Sequence, residues 1–253
     1  HLGHSFPTRR SSDLSSTLGL PADRTVQVDP TVSLKCLHAG LKLQRAFAAS
    51  CSLQLVAFAQ DPFFYPSSPI TEASISALFD SVIDLHLSTS SRPLSAIGSA
   101  PYVEASRDAA LRNISLVFAL AKRAQVDVDF HLDYDLDPLT EPLVWDVLRL
   151  AKVAVNQWDV RGRLRRITLG HCTKLSLFND AELDRLVHEL EGFDGQVHFV
   201  ALPPSDMFMQ GRGTPYAARS RATFPALELV KRGISCSIDR KSTRLNSSHP
   251  GYL

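Results

Sequence analysis

The chain has 253 residues, of which 44% are hydrophobic and 21% are charged, and its formal net charge is +1. This length and composition are typical of one large globular domain, and the near-neutral charge argues against a nucleic-acid or anionic-membrane partner. No apolar run approaches the roughly 20 residues that span a bilayer, so we expect no membrane partner. The four cysteines form neither a C-x-x-C pair nor a dense framework, which favours reduced thiols and a cytoplasmic location.

The two ends of the chain differ from the rest. Both are Ser-rich and basic and lack periodic apolar residues, and the segments 6–14 and 239–249 resemble translated sequencing-adapter DNA. We therefore assign residues 1–14 and 239–253 as non-native tails and expect the natural domain within residues 15–238.

Between these ends, strand-like and helix-like segments alternate. A long loop rich in Gly and Arg is expected over residues 205–221. Strands are predicted at 24–28, 53–60, 94–101, within 126–137, at 166–171, 197–203 and 233–238, and helices at 30–50, 70–86, 106–124, 142–156, 179–190 and 225–232.

Alternating strands and helices indicate a parallel sheet, either a (β/α)8 TIM-like barrel or an open doubly wound sheet. Polar residues at the ends of several strands favour the barrel, because barrel active sites gather there: Gln60, His131, Asp133 and His171. An open dinucleotide-binding sheet is expected to carry G-x-G-x-x-G after its first strand, and this sequence has no such motif.

The strand that ends near residue 132 carries the clearest chemical signal. Alternation along a strand predicts that His131 and Asp133 point the same way, about 7 Å apart, with Phe130 and Leu132 on the other face. His171 ends the next strand-like run. Imidazoles and carboxylates suit zinc or iron, and a metal site of this kind favours hydrolysis. The alternative for either histidine is a hydrogen-bonded core residue. The other histidines of the domain lack a strand-end position, so we assign them no ligand role: His38, His86, His188 and His198.

Four short segments resemble the amidohydrolase superfamily, and within it the cytosine deaminase branch: Val56–Gln60, His131-Leu-Asp133, Gly170-His-Cys-Thr173 and Pro203–Arg212. The resemblance implies a barrel that hydrolyses a C–N bond other than a peptide bond, in a cyclic amidine or amide. It also implies that His131 and His171 bind a divalent metal, zinc or iron, and that Gln60 hydrogen-bonds the amide edge of a small heterocyclic substrate.

The chain departs from the family's pattern at three places. The family's H-x-H metal pair would lie before Ser15 and its last-strand Asp beyond Ile238, so we expect an incomplete barrel, without the first strand and the end of the last, and an inactive fragment. Tyr134 stands where the family's deaminases place a proton-shuttling Glu. We therefore assign Asp133 and Tyr134 as catalytic candidates, Tyr134 to orient substrate and Asp133 or the last-strand Asp to transfer protons.

Two hypotheses follow from these residues. The first is a metal-dependent hydrolase of the cytosine deaminase type. The second is a non-catalytic barrel paralogue that binds a small heterocycle, because Tyr134 replaces the proton shuttle. Neither hypothesis fixes the oligomeric state, and a homo-oligomer stays open.

Overall fold

The computed structural model describes residues 22–28, 30, 32–64, 72–158, 165–210 and 221–239. Seven parallel strands form one sheet in which every strand pairs with its neighbours in the sequence. The strands are β1 Ala22–Gln27, β2 Leu53–Ala59, β3 Leu94–Ser99, β4 Asp127–Leu132, β5 Ile167–His171, β6 Val197–Ala201 and β7 Cys236–Ile238.

Helices connect the strands, as the alternating sequence pattern predicts. They are α1 Lys35–Ala46, α2 Glu72–Ser88, α3 Arg107–Ala124, α4 Val144–Trp158, α5 Asp180–Leu190, α6 Pro203–Met209 and α7 Ala226–Lys231, and 3-10 turns occupy Pro101–Val103 and Thr173–Leu177. None of the helices in the described ranges is long and apolar enough to cross a membrane.

This order of strands is that of a (β/α)8 TIM-like barrel whose sheet is not closed. A barrel places sequential parallel strands side by side, whereas in a doubly wound sheet the order of the strands reverses at a switch point. Within the described residues β1 and β7 are not paired with each other. The predicted α/β class and incomplete barrel are therefore confirmed.

The main hydrophobic core lies between the sheet and the helices. On β4 the alternation is regular: Val128, Phe130 and Leu132 are fully buried in this core, and the ring of Phe130 meets that of Phe118 from α3 edge-on at 5.4 Å. Burying one such side chain contributes about 1.5–3 kcal/mol. Asp129 and His131 consequently face the inner side of the sheet.

Two helices begin with side chains that cap their first turn. Asn179 and Glu182 form a capping box at α5, because the Glu182 N–H donates to Asn179 Oδ1 at 3.0 Å and the Asn179 N–H donates to Glu182 Oε2 at 2.8 Å. Ser106 caps α3 by accepting a hydrogen bond from the Ala109 N–H at 3.2 Å. Such caps satisfy backbone donors that a helix leaves unpaired in its first turn.

The predicted loop over residues 205–221 is wrong at its start, where α6 forms instead. Pro203 and Pro204 occupy the first turn of α6, a place that suits proline because those N–H groups have no partner within the helix. Residues 211–220 of the predicted loop lie outside the described residues. The predicted tails lie outside them as well, except for Asp239, whose N–H donates to the Ala201 carbonyl at 2.8 Å.

Candidate active site at the strand ends

His131 reaches the site through regular strand geometry. It is the fifth residue of β4, its side chain is buried, and its ring lies 4.5 Å from that of Phe58 on β2. Gly170 is its register partner on β5, and a Cβ atom there would lie 3.0 Å from His131 Cδ2. The missing side chain of Gly170 therefore leaves room for the imidazole.

His171 reaches the same place by a different backbone path. In β5, Ile167 and Leu169 are buried in the helix-facing core, so simple alternation would send His171 to that core too. Instead its φ is +64°, and Cys172 follows with φ of +45°. This left-handed turn redirects the side chain, and the two imidazole rings lie edge to face with centroids 4.9 Å apart.

A carboxylate that the sequence analysis missed holds His171. Asp206 of α6 is fully buried, and its Oδ1 lies 2.6 Å from His171 Nδ1. Its Oδ2 accepts hydrogen bonds from the Thr223 hydroxyl at 2.7 Å and from the Leu202 N–H at 3.3 Å. Histidines that bind metals commonly donate their second ring N–H to such a carboxylate.

Tyr134 packs against His171 rather than projecting freely. Its ring lies 4.5 Å from the His171 ring and 5.5 Å from the ring of Tyr102. The Tyr134 hydroxyl donates to the Ser205 carbonyl at 3.0 Å, and burial raises its pKa to about 12. Near neutral pH this phenol stays protonated and is a poor base.

Asp133 does not share the face of His131, which corrects the prediction from alternation. Its φ is +47°, and its two carboxylate oxygens accept the N–H groups of Leu143 at 2.7 Å and Val144 at 3.0 Å, where α4 begins. Burial raises the pKa of Asp133 to about 6, although these two hydrogen bonds oppose the shift. The carboxylate thus holds the start of α4, and its catalytic assignment stays a prediction.

Gln60, the predicted substrate-binding residue, directly follows β2 and is half-buried. In the sheet, β3 separates β2 from β4. Gln60 therefore lies at the same carboxyl-terminal edge of the sheet as His131 and His171, but it is not part of the contact between these two rings. Its role also stays a prediction.

Lys174 is a second residue whose position the sequence did not reveal. Only 2% of Lys174 is exposed, and its ammonium donates to the carbonyls of Asp137 at 3.0 Å and Thr140 at 2.9 Å. It also lies 2.9 Å from the Asp135 carboxylate. A buried ammonium needs such compensation, so Lys174 fixes the segment between β4 and α4.

Two of the histidines that were not predicted as ligands, His86 and His198, have local partners. His86 is buried and accepts a hydrogen bond from the Leu94 N–H at 3.1 Å, and burial lowers its pKa. The ring nitrogens of His198 lie 2.8 Å from Ser235 Oγ and 3.0 Å from Ser237 Oγ. These contacts are away from the pair formed by His131 and His171.

Two of the described side chains have the chemistry of metal ligands. The two adjacent imidazoles, one of them oriented by a carboxylate, fit the donor set that zinc or iron prefers. Within the described ranges, however, no group of three or more His, Cys, Asp or Glu side chains could hold a metal ion. His131 and His171 therefore fit as two ligands that require further donors.

Asp206 could have been found through its helix. The pair Pro203-Pro204 just after an apolar strand predicts a helix start, and an acidic residue is favoured in the first turn of a helix. Its contact with His171 spans 35 residues of sequence, and periodicity carries no information on a contact of that range.

Comparison with solved structures identifies several that share this fold. They include 5-methylcytosine deaminase from Klebsiella pneumoniae liganded with 5-fluorocytosine, which is 23% identical with a TM-score of 0.68 over 88% of this chain and 48% of that chain. N-isopropylammelide isopropylaminohydrolase from Burkholderia multivorans is 17% identical with a TM-score of 0.62, over 87% and 47%. Guanine deaminase from C. acetobutylicum with bound guanine is 12% identical with a TM-score of 0.52, over 87% and 45%.

The chain thus spans about half the length of the solved structures that it matches. At these identities the likeness establishes the fold alone. No protein-family model matches the sequence, and no curated protein matches it either.

Proposed function

We propose that this chain carries one side of the active site of a metal-dependent hydrolase. The reaction would cleave a C–N bond other than a peptide bond, in a cyclic amidine or amide, as a cytosine deaminase-like enzyme does. The observation that carries the proposal is the pair of imidazoles 4.9 Å apart at neighbouring strand ends, one of them bound to a buried carboxylate at 2.6 Å.

His131 and His171 would hold the metal, zinc or iron, together with donors from outside the described residues. When bound, such a metal lowers the pKa of a coordinated water toward neutrality. The chain's own contribution is orientation. Phe58 packs against the His131 ring, and Asp206 and Tyr134 fix the His171 ring from two sides.

The substrate would be a small planar heterocycle. Aromatic rings favour stacked or edge-on contacts with other rings. The Tyr134 ring lies beside His171, and the Tyr102 ring lies next to that of Tyr134. Gln60 would bind the substrate's amide edge. The solved structures of the same fold that hold 5-fluorocytosine and guanine support a ligand of this class.

Proton transfer is the step for which this site differs most from a deaminase. The Tyr134 hydroxyl donates a hydrogen bond to the Ser205 carbonyl, and both carboxylate oxygens of Asp133 accept hydrogen bonds from the start of α4. Because Tyr134 and Asp133 are both engaged in these hydrogen bonds, the site also fits a second candidate function, a non-catalytic barrel that binds a heterocycle.

We also propose that residues 15–238 form part of a larger barrel domain, since the chain spans about half of each matched structure. A cytoplasmic location is supported by the free thiols of the four cysteines: Cys36, Cys51, Cys172 and Cys236.

Metal content separates the two candidate functions. The chain, and the longest natural form that contains it, should be purified with zinc or iron(II) and analysed for bound metal and for hydrolysis of a panel of cyclic amidines. Stoichiometric metal with turnover supports the hydrolase. A folded, metal-free protein that binds the heterocycles without hydrolysis supports the binder.

Substitutions make the test specific to the two histidines. His131→Ala and His171→Ala should each remove most of the bound metal, whereas His198→Ala should retain it, because His198 is bound to two serines elsewhere on the sheet. Equal loss in all three variants would contradict the assignment. Tyr134→Glu should introduce or raise deamination of cytosine-like rings if the missing proton shuttle is the limiting element.

A further inference from the structure

Asp206 is bound in a way that does not depend on any ligand. Its carboxylate makes three hydrogen bonds, to His171 Nδ1 at 2.6 Å, to the Thr223 hydroxyl at 2.7 Å and to the Leu202 N–H at 3.3 Å. The backbone supports the same placement, because the Asp206 N–H donates to the Leu202 carbonyl at 2.9 Å. The side chain of Asp206 is therefore fixed from α6 and from the segment around Thr223.

The contact with His171 selects one tautomer of the imidazole. An ionised carboxylate accepts hydrogen bonds and cannot donate them. For an ionised Asp206, the distance of 2.6 Å between its Oδ1 and His171 Nδ1 places the proton on Nδ1. In the neutral ring the second nitrogen, Nε2, then carries the lone pair.

We propose that Asp206 is a positioning residue that keeps the proton of His171 on Nδ1 and so keeps Nε2 as the lone-pair nitrogen of the site. The left-handed backbone of His171 brings the ring to the site, and Asp206 sets which atom can act as a ligand. The role of Nε2 as a metal ligand rests on the proposed function, whereas the tautomer itself does not.

A purely structural role for Asp206 would be to anchor α6, and Asp206→Asn separates the two roles. The carboxamide has the size of the carboxylate but carries one acceptor and one donor group. Its oxygen should turn to the Leu202 N–H, as Oδ2 does in the native protein, which directs its NH2 group at His171 Nδ1. The substitution should thus preserve α6 and move the imidazole proton to Nε2.

The test is long-range 1H–15N NMR of the 15N-labelled, metal-free protein near pH 8, with the His171 signals assigned by their loss in His171→Gln. The native protein should show the Nδ1–H tautomer and Asp206→Asn the Nε2–H tautomer, with little change in the thermal unfolding midpoint. Thr223→Val, which removes a neighbouring bond to the same carboxylate, should keep the Nδ1–H tautomer.

Zinc titration provides the second readout. Loss of an outer partner of a ligating histidine typically weakens metal binding 10- to 100-fold, and we expect a loss of that size in Asp206→Asn but not in Thr223→Val. A native Nε2–H tautomer, or an unchanged tautomer in Asp206→Asn, would overturn the proposal. The predicted tautomers without any zinc binding by the longest natural form of the protein would instead overturn the proposed function and leave the role of Asp206 intact.

Discussion

The ends of β4 and β5 bring a histidine to the same place by different means. His131 follows the alternation of its strand and packs on Phe58, so its direction is set within β4 and its neighbouring strands. His171 is turned by a left-handed backbone and is held by Asp206 of α6. One position is encoded locally and the other depends on an element that follows much later in the chain.

This difference has a physical basis. A regular strand fixes side-chain direction through its pleat, whereas a non-glycine residue with positive φ costs free energy that surrounding contacts must offset. We therefore expect the direction of His131 to respond to changes of packing in the sheet, and the direction of His171 to respond to the loss of single hydrogen bonds.

The largest effect should come from Gly98→Ala on β3. A Cβ atom at Gly98 would lie 2.2 Å from the Asp129 carbonyl oxygen of β4 and 2.7 Å from the Phe58 ring. Because a backbone atom blocks it, the strands would have to separate, and we expect the free energy of unfolding to fall by about 3 kcal/mol or more. Urea unfolding measures this loss, and a change below about 1 kcal/mol would show that the β3–β4 contact is looser than described.

Asp133→Ala should have the next largest effect. It removes the acceptors of the Leu143 and Val144 N–H groups, both of them buried at the start of α4. Leaving two buried donors unpaired should cost about 2–3 kcal/mol of unfolding free energy.

Asp137→Ala is the matched control for Asp133→Ala, because Asp137 accepts the Leu139 N–H in an exposed turn. This variant should change the unfolding free energy by less than about 0.5 kcal/mol. Similar losses for the two variants would contradict the structural role of Asp133.

Thr173→Val tests the bond that joins the two strand ends. The Thr173 hydroxyl donates to the Asp133 carbonyl at 2.8 Å, and the Lys174 N–H reaches the same oxygen at 3.3 Å. Since one donor remains, we expect a loss of about 1 kcal/mol in urea unfolding. A loss of unfolding free energy as large as that of Asp133→Ala would mean that the ends of β4 and β5 unfold as one cooperative unit.

Gly170→Ala should affect stability less than Thr173→Val does, and it should have a specific effect on the site. Its Cβ would lie 3.0 Å from His131 Cδ2, a side-chain atom that can move by a few tenths of an ångström. We expect less than about 1 kcal/mol of destabilisation but weaker zinc binding, because the His131 imidazole is displaced. Unchanged zinc affinity would show that His131 is not held against β5.

The sequence was sufficient where neighbouring residues determine the structure. The alternation of β4, the order of the strands and the capping box at α5 follow from short-range patterns, and all three are observed. The start of α6 was missed although Pro203-Pro204 signalled it.

Two features of the site could not be predicted in this way. Asp133, His171 and Cys172 all adopt positive φ without being glycine, and no periodic pattern indicates where a strand will turn in that manner. The bond between Asp206 and His171 joins residues 35 positions apart, and such a pairing is fixed only once the sheet has placed β5 beside β6.

The carboxylate of Asp133 also sets how α4 exchanges its amide hydrogens with solvent. Amides in the first turn of a helix usually exchange quickly, because they have no acceptor within the helix. Here the amides of Leu143 and Val144 are buried and bound to Asp133, so opening them requires the end of β4 and the start of α4 to separate. Slow deuterium uptake at these two amides therefore shows that the end of β4, where His131 lies, remains bound to the start of α4.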